Sequence, residues 1–342
     1  MRTGQDRPHP ISGVDYPRTL QEVEMPTAII TGITGQDGSY SAELLLANGY
    51  RVIGAVRNVQ NANETLPPAL IHGVELVAWN MLDQCHMAEV LAEYRPAEVY
   101  NFAAYSSGAG MFDNPVGIGE VNGLSIARIL EAIRKVDATI RFCQASSSEM
   151  FNDATASPQS EETPFQPRSP YGAAKLYAHS MVGIYRQRYS LFACSAILFN
   201  HESPRHGLGF VTRKITQGAA KIKLGLANEL RLGNLDARRD WGFAGDYVRA
   251  MWLMLQQPYA EDYVVATGET HSVRELCEIA FGHLGLDYRD YVREDAAVYR
   301  PAESVQLVGN SERARNQLGW VPEVGFREIV SMMVDADLRK LH

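Results

Sequence analysis

Short apolar runs alternate with longer mixed segments over the first two hundred residues. Thr27 to Thr31 (TAIIT), Tyr50 to Val56 (YRVIGAV), Val74 to Trp79, Glu98 to Ala103 and Ile140 to Ala145 are short, apolar and in most cases β-branched, as buried strands are. Between them, Tyr40 to Asn48, His86 to Tyr94 and Ser125 to Lys135 carry helical spacing, and Gly49 stops the first of these. Strands alternating with helices predict right-handed βαβ units, and so an α/β fold with a doubly wound, Rossmann-type parallel sheet. Phe192 to Phe199 (FACSAILF) reads as a further buried strand. After about Asn200 the rhythm becomes irregular, with loops rich in Arg, Gly and Asn. A strand at Tyr263 to Ala266 and helices at Ser272 to Leu284 and Glu328 to Leu341 follow. We therefore expect a first domain over residues 25–199, to which later segments return, and a smaller mixed domain over 200–342 that closes over it.

Composition narrows the partners. A formal net charge of −8 argues against nucleic acid, because phosphate backbones need a basic surplus. An anionic ligand must then be held by local Arg and Lys side chains. The cysteines Cys85, Cys143, Cys194 and Cys277 are scattered without a CxxC pair, which points to a reduced, cytoplasmic protein without a structural metal. No apolar run approaches the ~18 residues of a membrane span. Met1 to Glu24 are polar and lack the apolar stretch of a signal peptide, so residues 1–24 are expected to be a flexible leader.

The first chemistry appears directly after the first strand. In Thr31-Gly-Ile-Thr-Gly-Gln-Asp-Gly38, Gly32, Gly35 and Gly38 stand before the first helix. Glycines there let the backbone approach a pyrophosphate, which meets the free N–H groups and positive dipole end of the helix. The spacing is GxxGxxG, with Thr34, Gln36 and Asp37 completing the loop, and it points to a nicotinamide dinucleotide. The second strand normally ends on a carboxylate for the ribose of NAD; here it ends on Arg57 and Asn58, which favours NADP over NAD. Asn80 and Met81, after the third strand, are placed to contact adenine, although Met81 also suits plain core.

Ser169-Pro-Tyr171-Gly-Ala-Ala-Lys175 opens with a helix cap and a proline at the first helical position, so Tyr171 and Lys175 lie one turn apart on one face. A phenol of ordinary pKa near 10 is a poor base at neutral pH, and a neighbouring ammonium stabilises its phenolate. Gln144-Ala-Ser146-Ser147-Ser148-Glu149-Met150 lies at the C-terminal edge of a strand, where ligands bind in this architecture. Glu149 is the informative residue, because a carboxylate beside a serine and a tyrosine suits removal of a proton next to a new carbonyl.

These residues resemble the GDP-mannose 4,6-dehydratase family of extended short-chain dehydrogenase/reductases. The likeness runs from Pro26 almost to the C-terminus, through GITGQDGSY, QASSSEMF, PRSPYGAAKLY, LFNHESPRHG, FVTRKI, LGNLDARRDWGFAGDYVRAMWLML and RPAE. The resemblance implies that Tyr171 is the base, Lys175 its partner and Glu149 the carboxylate that takes the C5 proton. Ser147 stands where the family usually has Thr. Ala103 falls among the residues toward the cofactor, and Tyr105 and Ser106 toward the sugar. Asn200, Glu202, Thr212, Arg213, Lys214, Arg239, Arg300 and Glu303 match the family's GDP-binding stretches, where arginines suit a diphosphate. The implied reaction oxidises C4 of a GDP-sugar, eliminates water across C5 and C6, and returns the stored hydride to C6.

Departures from the family leave the GDP side intact. The Arg-Arg-Ser-Ser segment after the second strand is replaced by Val56 to Pro68 (VRNVQNANETLPP), at a place relatives use for a tetramer contact. The implied assembly is a homodimer or homotetramer. The usual AAQS reads Ala103-Ala-Tyr105-Ser106, and Ser107 to Met111 also differ, which leaves GDP-manno-heptose as an alternative to GDP-mannose. Two other readings compete: a GDP-sugar 4-oxidoreductase or epimerase, which has no need of Glu149, and a silent nucleotide-binding scaffold, for which the four catalytic residues would be superfluous. His201-Glu202 and the remaining histidines lack metal-ligand spacing.

Overall fold

The computed structural model describes residues 25–106, 112–151, 156–295 and 306–342. The expected leader, the Ser107 to Met111 segment, Arg300 and Glu303 lie outside the described residues. Strands β1 (Thr27–Thr31), β2 (Arg51–Val56), β3 (Val74–Ala78), β4 (Glu98–Asn101), β5 (Arg141–Ala145) and β6 (Ala193–Leu198) alternate with helices α1 (Gln36–Ala47), α2 (Val59–Thr65), α3 (Gln84–Tyr94), α4 (Pro115–Ile118), α5 (Ser125–Val136) and α6 (Pro170–Tyr189). The later chain adds β7 (Asn200–Glu202), α7 (Val211–Lys223), β8 (Leu230–Leu232), β9 (Arg238–Arg239), β10 (Trp241–Phe243), α8 (Ala244–Leu255), β11 (Tyr263–Val265), β12 (His271–Ser272), α9 (Val273–His283), α10 (Tyr288–Tyr291), β13 (Val292–Glu294), α11 (Glu312–Leu318) and α12 (Phe326–Leu341).

Seven parallel strands form the main sheet in the order β11-β6-β5-β4-β1-β2-β3. The order reverses at β1, between β4 and β2, and in such sheets the crevice at the carboxyl ends of those strands is where ligands bind. Alternating side chains of β1 go to opposite faces: Ala28 and Ile30 join one core with Met251 and Trp320, Ile29 the other with Ile129 and Phe142. Both faces are covered, which is why the strands read as near-continuous apolar runs rather than alternating ones. A third core, built from α7, α9 and α12 around Ile215, Leu276, Phe281 and Val334, carries the later part of the chain.

Several boundaries move from their sequence reading. The first helix starts at Gln36 rather than Tyr40, so the glycine loop runs straight into it. The fourth strand ends at Asn101, which puts Ala103 and Tyr105 in the loop beyond it. Gly49 stops α1 with φ +78°.

Candidate active site

A cleft of about 740 Å³ opens at the carboxyl ends of the sheet strands, lined from one side by the glycine loop and from the other by the chain that follows β6. Gly32 has φ +68°, and a Cβ there would meet Ala103 N at 2.9 Å. At Gly38 a Cβ would lie 2.4 Å from the Gly32 carbonyl oxygen, so only glycine lets α1 start this close to β1. Gly35 caps α1 without a side-chain hydrogen bond, leaving first-turn amides turned to an anion. Thr34, Arg57, Asn80, Met81 and Ala103 line the same cleft. A cradle of bare backbone, free amides and a cation past β2 fits a dinucleotide.

Gln36 and Asp37 line the cleft as well, and their side chains tie the loop to the later chain. Ser203 Oγ donates to Gln36 Oε1 at 2.7 Å, and Gln36 Nε2 donates to the His201 carbonyl at 3.0 Å. His201 donates from Nε2 to Asp37 Oδ1 at 2.9 Å and from Nδ1 to the Phe199 carbonyl at 2.8 Å. Both partners only accept, so both ring nitrogens must carry protons. Burial opposes that charge, but the Asp37 carboxylate outweighs it and pushes His201 up to about 9. Asp37 in turn is held below the usual carboxylate range by His201, against the effect of burial. His201 also stacks on Tyr247, with ring centroids 4.8 Å apart. Sequence reasoning missed this residue as a site component; the signal available was its place on β7, paired with the glycine loop in no local motif.

The catalytic constellation assembles around α6. Ser169 Oγ accepts from Gly172 N–H at 3.0 Å, Pro170 takes the first helical position, and a Cβ at Gly172 would come 2.7 Å from the Glu149 carbonyl oxygen. The start of α6 is thereby seated on the Ser148–Phe151 turn, and Ser147, Glu149, Tyr171 and Lys175 all line the cleft. Burial first, then the negative charge of Glu149, raises the phenol of Tyr171, and the nearby Ser147 hydroxyl partly offsets them. Lys175 Nζ donates to the Ala145 carbonyl at 2.7 Å and lies 5.6 Å from the centre of the Tyr171 ring. The expected ammonium is therefore beside the phenol, and Ser147 lines the same cleft. Burial lowers Lys175 to about 8, and the distant Asp37 charge resists this. A buried polar chain supports the corner: Thr31 Oγ1 donates to Asn101 Oδ1 (2.6 Å), Asn101 Nδ2 to Gln144 Oε1 (2.8 Å), and Gln144 Nε2 to the Ala145 carbonyl (2.7 Å).

The expected nucleotide-binding set divides. Asn200, Glu202, Tyr105 and Ser106 line the cleft, joined by Arg205, His206 and Phe210, which sequence reasoning did not single out. Glu202 accepts from Thr212 Oγ1 at 2.6 Å and from His206 Nδ1, and His206 stacks on Phe210. Thr212 thus reaches the cleft only through Glu202. The Arg213 guanidinium is buried against Asp337 of α12 and donates to the carbonyls of Pro204 (2.9 Å) and His206 (2.8 Å). Lys214 is exposed on α7, and Arg239 lies on β9 paired with β12, its Nη1 donating to the Arg238 carbonyl; neither lines this cleft. Among the described residues, no group of three or more His, Cys, Asp or Glu could hold a metal ion, and no helix is long and apolar enough to cross a membrane.

The sequence model of the GDP-mannose 4,6 dehydratase family matches residues 29–333. GDP-mannose 4,6 dehydratase 2 of Arabidopsis thaliana is 50% identical over 323 residues, covering 91% of this chain and 86% of that protein. The human GDP-mannose 4,6 dehydratase is 45% identical (91% of each chain) and that of Vibrio cholerae 41% (91% and 94%). Among solved structures, a UDP-glucose 4-epimerase from Thermotoga maritima superposes with a TM-score of 0.81 at 22% identity, covering 92% of this chain and all of that one. A dTDP-glucose 4,6-dehydratase from Bacillus anthracis in complex with NAD gives 0.79 at 20% identity, with 91% and 96% covered. These two show the fold alone.

Proposed function

The chain belongs to the GDP-mannose 4,6-dehydratase family, and from that premise we propose that it converts GDP-mannose to its 4-keto-6-deoxy product with NADP as a resident cofactor. The observation that carries this reading is a carboxylate, Glu149, in one cleft with Ser147, Tyr171 and Lys175, close enough for its charge to bear on the phenol. An oxidoreductase or epimerase would need only the latter three. A nicotinamide dinucleotide held by Gly32, Gly35 and Gly38 would supply the hydride acceptor for C4 and the hydride for C6.

The chain's own residues supply the proton chemistry. Tyr171 takes the C4 hydroxyl proton, a transfer that Ser147 would assist by offering its hydroxyl to the sugar oxygen and Lys175 through its positive charge. Once C4 is a ketone, C5–H is acidic, and Glu149 removes it as the C6 hydroxyl departs with a proton from Glu149 or by way of Ser147. Arg57 supports NADP over NAD, since a guanidinium past β2 matches a 2′-phosphate. Asn200, Glu202, Tyr105 and Ser106 would hold the sugar nucleotide, together with Arg239, Arg300 and Glu303 of the family's motifs. Mannose is favoured over manno-heptose, because the relatives above are named for GDP-mannose. A cytoplasmic homo-oligomer completes the reading. Incubation of the purified protein with GDP-mannose, without added cofactor, should yield a product lighter by one water. A product of unchanged mass would refute dehydration, and turnover confined to GDP-manno-heptose would refute the choice of sugar.

A further inference from the structure

The sheet face beneath α5 and α6 is apolar until its last rung. Ile29, Val99 and Phe142, in register across β1, β4 and β5, share a core with Ile129 and Val182. Two residues further along each strand, on the same face, stand Thr31, Asn101 and Gln144, again in register and each at most 1% exposed. Polar side chains in such a layer cost stability unless they are hydrogen-bonded. Here they bond to one another in a row, as described above, and Thr31 Oγ1 also accepts from Ala103 N–H at 3.1 Å.

Both ends of the row lie at the site. It begins on the residue before Gly32 and ends on the Ala145 carbonyl, which Gln144 Nε2 shares with Lys175 Nζ, each at 2.7 Å. A carbonyl oxygen has two lone pairs, so both donors can be served at once. The Gln144 amide fixes the Ala145 peptide from one side and leaves the other lone pair to the ammonium. Lys175 has a long, rotatable stem and is 4% exposed, so this carbonyl decides where its charge rests beside the Tyr171 ring. The charges that bear on these two groups come from Glu149, on the turn after β5, and from Asp37, at the start of α1 and paired with His201.

We infer that Gln144 is a positioning residue for the base: through the Ala145 carbonyl it holds the Lys175 ammonium against Tyr171, at a place fixed relative to the glycine loop. It touches no reacting atom. The inference rests on Tyr171 acting as the base in the reading above, but it does not need the dehydration step. The test therefore reads C4 oxidation alone, as reduced nicotinamide formed in a single turnover of cofactor-loaded protein with GDP-mannose, in the Glu149→Gln background and across pH. Gln144→Met keeps the length of the side chain without its amide. An ammonium held less firmly stabilises the phenolate less, so the acid limb of the profile should move up by about one pH unit. That leaves about a tenth of the phenolate at any pH below the limb. The rate should fall about tenfold on the acid side and return toward its former value as pH rises past the limb. The Kd for GDP should not change. Added to Lys175→Ala, Gln144→Met should cost little, because it acts through that ammonium. Thr31→Val, at the far end of the row and touching neither Ala145 nor Lys175, should move the limb the same way by less. It takes over the test if Gln144→Met does not fold. An unmoved limb, a loss equal at every pH, weakened GDP binding or full additivity with Lys175→Ala would each overturn the inference. If Glu149→Gln itself still sheds water from the sugar, the role given to Glu149 fails, while a moved limb would still support Gln144. No reduced nicotinamide at any pH with Gln144 intact would refute both.

Discussion

Tyr171 and Arg213 both stand in the first turn of a helix, in motifs of equal apparent promise, yet only one of them faces the cleft. At α6 the rotation of the helix is fixed before Tyr171 is placed: Ser169 caps it, Pro170 opens it, and Gly172 presses on the Glu149 carbonyl. The phenol then has one direction to go. At α7 the capping position is Phe210, with no side-chain cap, and Arg213 is long enough to satisfy its charge on either side. It finds Asp337, 124 residues further along the chain, together with two carbonyls. A short side chain beside a pinned strand end is legible from local sequence, whereas a long cation reports only that some anion is near.

Substitutions can break this contrast. The largest effect should come from Tyr171→Phe, which should lower kcat by on the order of 10²–10⁴-fold while leaving GDP affinity intact; near-normal turnover would remove the phenol from the chemistry. Next, Arg213→Ala leaves Asp337 as a buried, unpaired charge, with side-chain exposures of 4% and 1% in the intact pair. Urea unfolding should show a loss of about 3–5 kcal/mol. Lys214→Ala, on the exposed face of the same turn, should stay within about 0.5 kcal/mol. A folded Arg213→Ala protein with weakened GDP binding would instead return that guanidinium to the ligand. Ser169→Ala should cost about 1 kcal/mol through the lost cap, and a smaller change in stability would mean that α6 is pinned by Gly172 alone.

The last effect concerns pH. His201 is raised from 6.5 to about 9, so its contribution to stability is complete below pH 6.5 and is lost as pH rises toward 9. Lys175, lowered from 10.5 to about 8, acts with the opposite sign, adding stability as pH rises from 8 to 10.5. Between pH 6.5 and 8, then, Tm should fall with pH in the wild type and much less in His201→Asn. Equal slopes would mean that His201 is neutral in the folded protein.

The fold was legible because both sheet faces are covered, so the strands announce themselves as apolar runs, and because Gly49 and Ser169-Pro170 punctuate the helices. The glycine loop, Ser147 and Glu149 were legible because each follows a strand end, and Tyr171 and Lys175 because a capped helix start places them. The Asp37–His201 bridge and the Glu202–His206 pair were not, because a histidine in the sequence carries no sign of the partner its ring will find. Family likeness is silent in the same way at Arg213, where a matching motif does not contain the direction of the side chain.

The division of labour in the cleft rests on Glu149, and the single-turnover behaviour of Glu149→Gln tests it most directly. With GDP-mannose supplied to the cofactor-loaded variant, reduced nicotinamide should appear by absorbance and persist, while mass spectrometry finds no loss of water from the sugar. Dehydration by Glu149→Gln at the wild-type rate would contradict the account.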